Sequence, residues 1–128
     1  MLFAGVVRDI QNMPAWASPI GITSGNDGYQ ISPKFNQVMS PAEASTIRNL
    51  HVQAQDCIGA GNNCTIWVDV LLGGVYNRVI WCTFAKPLNT CDSGSQSFAL
   101  PPSTPIVLEF TGTLNAEPLG VAFSFEAD

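Results

Sequence analysis

Apolar and polar residues alternate with period two in four stretches of this chain. From Cys64 the even positions carry Cys64, Ile66, Val68, Val70 and Leu72, set against Thr65, Trp67, Asp69 and Leu71. The pattern returns in Ile106, Leu108 and Phe110 against Val107, Glu109 and Thr111, and in Leu119, Val121, Phe123 and Phe125 against Gly120, Ala122 and Ser124. Leu50, Val52 and Ala54 give a shorter case. Successive side chains of a strand point to opposite faces, so each stretch offers one face to a core. The pattern predicts an all-β chain: an antiparallel jelly-roll-like β-sandwich of about eight strands. Val52, Ile66, Val68, Val70, Leu108, Phe110, Val121 and Phe123 are its expected core.

Turn residues divide the chain further. A first strand is predicted over residues 3–7, then a loop-rich stretch over 12–33 punctuated by Pro14, Pro19, Gly21, Gly25 and Gly28. Within it Asn26-Asp27-Gly28 reads as a turn, with brief strands at 21–24 or 29–32. A short strand at 35–39 stops at Pro41, and Pro41 after Ser40 predicts one helical turn over 41–45. Residues 47–55 and 65–72 are expected to form an antiparallel hairpin around the tip from Cys57 to Cys64, whose Gly59-Ala-Gly-Asn-Asn63 tolerates positive φ. Gly73-Gly74 turns the chain into residues 75–84, bent or broken at Asn77-Arg78. Residues 86–95 read as a polar loop and 96–100 as a short strand. Pro101, Pro102 and Pro105 then bound the final strands at 106–111 and 119–126.

A chain of 128 residues fits one domain, residues 1–128. Charged residues make up 12% of it, about half the usual share. Burial of part of the surface against neighbouring subunits explains that better than a polar-surfaced monomer. The net charge is −5, and Arg8, Lys34, Arg48, Arg78 and Lys86 are scattered singly. Phosphate neutralisation needs clustered cations, so neither nucleic acid nor an acidic membrane surface is an expected partner. The first eleven residues lack a basic segment followed by an apolar run, and no stretch reaches the length of a membrane span. The expectation is a chain made in a host cytoplasm without a secretory leader.

Candidate chemistry is sparse. His51 is the one histidine; beside Asp56 or Cys57 it would be a general base, but its strand parity with Asn49 and Gln53 favours a polar face residue. Apart from Glu126 and Asp128, the acidic residues do not pair at short spacing, against both a glycosidase carboxylate pair and a calcium loop. No catalytic, cofactor-binding or metal-ligating residue is therefore expected, and no cofactor. Cys57, Cys64, Cys82 and Cys91 lack the close pairing of zinc ligands. Disulfides within each loop, Cys57 with Cys64 and Cys82 with Cys91, are the simplest pairing. Cys64 and Cys82 share the parity of core positions, which leaves buried thiols open. Trp67, Leu71, Val79 and Trp81 carry the opposite parity yet are large and apolar. A solvated sheet face avoids such residues, so these four are the candidate interface.

Three segments carry a resemblance: Ser40-Pro-Ala-Glu-Ala-Ser-Thr-Ile-Arg-Asn-Leu-His-Val52, Gly59-Ala-Gly-Asn-Asn63 and Val79-Ile-Trp-Cys-Thr-Phe84. Together they resemble small jelly-roll virion proteins of tailed bacteriophages, which serve as capsid cement (decoration) proteins or as head and tail fibre tips. The resemblance spans residues 38–126 and rests on turn glycines and alternation. It implies a non-enzymatic structural protein on the capsid surface of a virion, commonly a homotrimer, with the major capsid protein as partner. A receptor- or glycan-binding fibre module is the alternative. It carries over fold rather than any site residue.

Overall fold

The computed structural model describes residues 1–7, 14–20, 33, 36–58, 63–113 and 116–128. Predicted features at 21–24, 26–28, 29–32 and 59–62, and the side chains of Arg8, Lys34 and Phe35, lie outside them. The described strands are β1 (Leu2–Val7), β2 (Ala15–Ala17), β3 (Val38–Met39), β4 (Ser45–Gln53), β5 (Asp56–Ile58) and β6 (Asn63–Leu72). They continue as β7 (Val75–Ala85), β8 (Thr90–Asp92), β9 (Ser97–Leu100), β10 (Pro105–Gly112), β11 (Glu117–Leu119) and β12 (Val121–Ala127). No α-helix occurs among the described residues, and none of them form a helix long and apolar enough to cross a membrane.

Two five-stranded antiparallel sheets face each other. One runs β1-β12-β4-β8, with β9 also on β4; the other runs β2-β10-β6-β7, with β3 also on β10. The pairings β1 with β12, β3 with β10, β4 with β9 and β6 with β7 are nested like one long hairpin. Rolling that hairpin so that β12 meets β4 and β10 meets β6 closes the two sheets. That connectivity is a jelly roll, and the eight strands of the nest are its principal ones. β2 extends the second sheet, β8 extends the first, and β5 with β11 forms a separate two-stranded ribbon.

Every residue of the expected core is buried, joined by Phe3, Ile47, Leu50, Ile80, Phe84, Leu100 and Phe125. Phe3 and Phe125 stack between β1 and β12 with ring centroids 4.8 Å apart. Gly73 and Gly74 both adopt positive φ, 57° and 77°, which makes the two-residue turn between β6 and β7 match the strand twist.

Three local expectations are corrected. Residues 47–55 and 65–72 do not form a hairpin: β4 and β6 lie in opposite sheets, and the hairpin partner of β6 is β7. Hydrophobic parity names a buried face without naming the neighbouring strand, so a crossover looks like a hairpin in sequence. Residues 41–45 form no helical turn; the backbone bends and enters β4 at Ser45. The predicted polar loop at 86–95 contains β8, which pairs with β4 from Thr90 to Asp92.

β4 also changes face in mid-strand. Ile47 is buried at an odd position, whereas Leu50 and Val52 are buried at even ones. The switch occurs at Asn49, with φ 59°, where the register against β12 shifts. An extra residue at a bulge exchanges the two faces of a strand, and asparagine tolerates the left-handed conformation that this one needs.

Candidate functional site

The outer face of the second sheet carries the densest cluster of interacting side chains. Trp67 on β6 and Trp81 on β7 are direct cross-strand partners, with ring centroids 5.3 Å apart and planes tilted by 38°. Trp67 is half-buried, and its indole N–H donates to Thr111 Oγ1 at 2.8 Å. Trp81 stays 41% exposed. Beside the pair, the Thr65 and Thr83 hydroxyls hydrogen-bond across the same two strands at 2.7 Å. Farther along, Leu71 is half-buried opposite Tyr76.

Of the four residues expected at an interface, Trp67, Leu71 and Trp81 lie on this outer face. Val79 does not: it packs against the core. The register between β6 and β7 slips at this point, so that Trp67 faces Trp81 and Asp69 faces Arg78 with Val79 as the extra residue. The slip also puts Arg78 on the outer face, where its guanidinium lies 4.2 Å from the centroid of the Trp67 ring.

Arg78 reaches over β6 to β10. Its Nε donates to Glu109 Oε1 at 2.9 Å and its Nη2 to Glu109 Oε2 at 2.7 Å, a bidentate pair. Glu109 is only 5% exposed and Asp69 only 2%. The two carboxyls are diagonal neighbours on adjacent strands, Asp69 opposite Val107 and Glu109 opposite Trp67, and each acts on the other's titration. From the other side, Trp16 on β2 reaches over β10, and its indole N–H donates to Asp69 Oδ2 at 3.4 Å. Asp69 Oδ1 is buried with no N–H or hydroxyl donor beside it. Burial first, then the adjoining Glu109 carboxyl, pushes Asp69 up to about 8. Burial acts on Glu109 in the same sense, but the hydrogen bonds from Arg78 and Asp69 outweigh it and hold that carboxyl below its ordinary value. Near neutral pH the pair therefore shares one proton.

Sequence reasoning found the tryptophans and missed this carboxyl pair, which lies 40 positions apart in the chain. A signal was present: Glu109 is the sole charge in Ile106-Val107-Leu108-Glu109-Phe110, a run apolar on both faces. A buried acid requires a partner, but only the strand register supplies its name. Their burial closes both carboxyls to substrate, which argues against a glycosidase pair.

His51 lies on the opposite sheet. It faces Ser124 across β12 and Asp92 across β8, rather than Asp56 or Cys57, and this row lines an open groove of about 530 Å³. The residue types are those of a nucleophilic triad, but no hydrogen bond joins them. Asp92 Oδ1 instead accepts from the Gly94 N–H at 2.8 Å. The ladders flanking β4 occupy the backbone N–H groups an oxyanion would need. No group of three or more metal-ligating side chains occurs among the described residues.

The cysteines are joined in sequence order, Cys57 to Cys64 and Cys82 to Cys91, with Cα separations of 6.0 and 5.7 Å. The core parity of Cys64 and Cys82 is compatible with bridging because each bond runs inside the sandwich. A second apolar surface, not anticipated from the sequence, lies on β1, where Leu2 and Val6 point outward and are exposed.

No protein-family model matches this chain, and no curated protein matches it. Among solved structures, the chain is similar to one described as "Structure of Eiger TNF from S. frugiperda". The identity is 8% over 97% of this chain and 92% of that one, with a TM-score of 0.46, a likeness too distant to carry a function.

Proposed function

We propose that this protein is a structural component of a virion, a capsid cement protein of a tailed bacteriophage that acts through protein–protein contacts of its outer sheet face. On this reading it self-associates as a homotrimer, and its partner is the major capsid protein. The observation that carries the contact surface is the Trp67–Trp81 pair, with Trp81 41% exposed and Arg78 lying over the Trp67 ring. Tryptophan and arginine are the residue types that dominate interface energetics, and a central aromatic anchor is the usual form of a hot spot. The low charged fraction, 12%, supports burial of surface in an assembly. The capsid assignment is supported by the sequence resemblance over residues 38–126.

Two measurements test it. Light scattering on the purified protein across a dilution series is expected to give about 41 kDa, three chains of 13.7 kDa. Quantitative mass spectrometry of virions carrying the protein is expected to find hundreds of copies per particle. A handful of copies would replace cement with a fibre module, the reading favoured if the exposed Trp81 indole stacks on a sugar. A monomer mass at every concentration, with no binding to capsids, would overturn the assembly role.

A further inference from the structure

The Trp67–Trp81 face is not an inert aromatic patch, because the side chains beneath it are connected. Arg78 touches both layers: its guanidinium covers the Trp67 ring and is fixed there by two hydrogen bonds to Glu109. Glu109 in turn lies diagonally beside Asp69 on the neighbouring strand, and Asp69 accepts from the indole of Trp16. Four of the five strands of the second sheet contribute one member each: Trp16 from β2, Glu109 from β10, Asp69 from β6 and Arg78 from β7. Among the described residues, the charged groups facing Asp69 are Glu109 and Arg78 alone.

We propose that the Asp69–Glu109 pair is a proton-operated latch on this face, closed while the two carboxyls share a proton and released when that proton leaves. The inference rests on the assignment of the Trp67–Trp81 face as a contact surface and names how that surface is regulated. In the closed state Asp69 donates to Glu109, Glu109 spends its charge on Arg78, and Arg78 is held flat on Trp67. Deprotonation puts a second anion, buried, beside the first. The hydrogen bond between the carboxyls is replaced by repulsion, and one guanidinium then serves two carboxylates. Arg78 is drawn off the Trp67 ring toward Asp69, and water enters to solvate the new charge. The face loses the geometry that a partner reads. Association is therefore expected below about pH 8 and weakened above it, where burial and Glu109 place the Asp69 titration.

The test is intrinsic tryptophan emission of the dilute full chain between pH 6 and 9.5, with light scattering at high concentration over the same range. The wild type is expected to show one emission transition near pH 8 and a tenfold or greater loss of association across it. Asp69→Asn keeps an amide donor toward Glu109 and removes the titration, so its emission and mass are expected to be flat with pH. Glu109→Gln removes the repulsion, and its transition is expected to move below that of the wild type. A wild type with no transition, or an Asp69→Asn protein that folds and keeps one, overturns the latch. If Asp69→Asn fails to fold, an unshifted transition in Glu109→Gln overturns it equally. A transition in emission together with an unchanging trimer mass overturns the coupling to the face. A transition in a protein monomeric at every pH leaves the latch standing and removes the contact-surface assignment instead.

Discussion

Cys82 on β7 and Cys91 on β8 bring the edges of the two sheets together, their Cα atoms 5.7 Å apart. β7 is the outermost strand of one sheet and β8 an outermost strand of the other, so the bond closes the sandwich along one seam. Cys57 and Cys64 tie the small β5–β11 ribbon to the start of β6 in the same way. Both loops are short, and the chain-entropy model gives each closure about 2.5 kcal/mol. Replacing Cys82 and Cys91 together by serine is expected to lower the unfolding free energy by about that amount in a urea titration. Hydrogen exchange should quicken at β8, a three-residue edge strand held otherwise by its ladder with β4. Loss confined to the β5–β11 ribbon would contradict the seam.

Trp81→Glu separates folding from assembly. Trp81 is 41% exposed, and what it gives the monomer is mainly its ring contact with Trp67. The cost in stability is expected to be about 1 kcal/mol, the size of one aromatic pair, while association is abolished. Trp67→Ala is expected to cost about 3 kcal/mol, because Trp67 also underlies Arg78 and bonds to Thr111. Denaturant midpoints and light scattering on the two variants check both halves.

Asn49 tests the bulge. Its φ of 59° and the hydrogen bond from its Nδ2 to Glu126 Oε2 at 2.8 Å fix the point where β4 changes face. Asn49→Val places a β-branched residue in the left-handed region and is expected to destabilise by about 1–2 kcal/mol. Asn49→Gly relieves the backbone and is expected to lie within about 1 kcal/mol of the wild type. Equal costs for the two would show that the side-chain bond, not the backbone conformation, matters there.

Stability should also depend on pH in a stated direction. Asp69 is raised in the folded chain to about 8, above its unfolded value of about 3.9. The folded state thus binds the proton more tightly, and this contribution is complete below about pH 4 and lost as pH climbs through about 8. Glu109 is lowered in the folded chain. Its contribution is present above its unfolded value of about 4.3 and is lost as pH falls through the lower folded value. Chemical denaturation at pH 6 and pH 9 is expected to show the wild type weaker at pH 9. Asp69→Asn should show a smaller difference between the two.

The sequence by itself determined the fold class, the core and the strand boundaries of the longest elements. Period-two alternation in β6, β10 and β12 names a buried face regardless of which strand lies alongside, since burial depends only on side-chain parity. Gly73-Gly74 likewise marked a turn, because a two-residue turn with positive φ has a local conformational requirement. The tertiary structure decided everything that depends on register. It put β4 and β6 in opposite sheets, turned Val79 toward the core by one slipped residue, and brought Asp69, Glu109 and Arg78 together. Alternation is blind to such a slip: one extra residue exchanges the two faces of a strand without altering its composition. A buried carboxyl pair requires two specific positions on neighbouring strands, and that proximity is created only when the sheet forms.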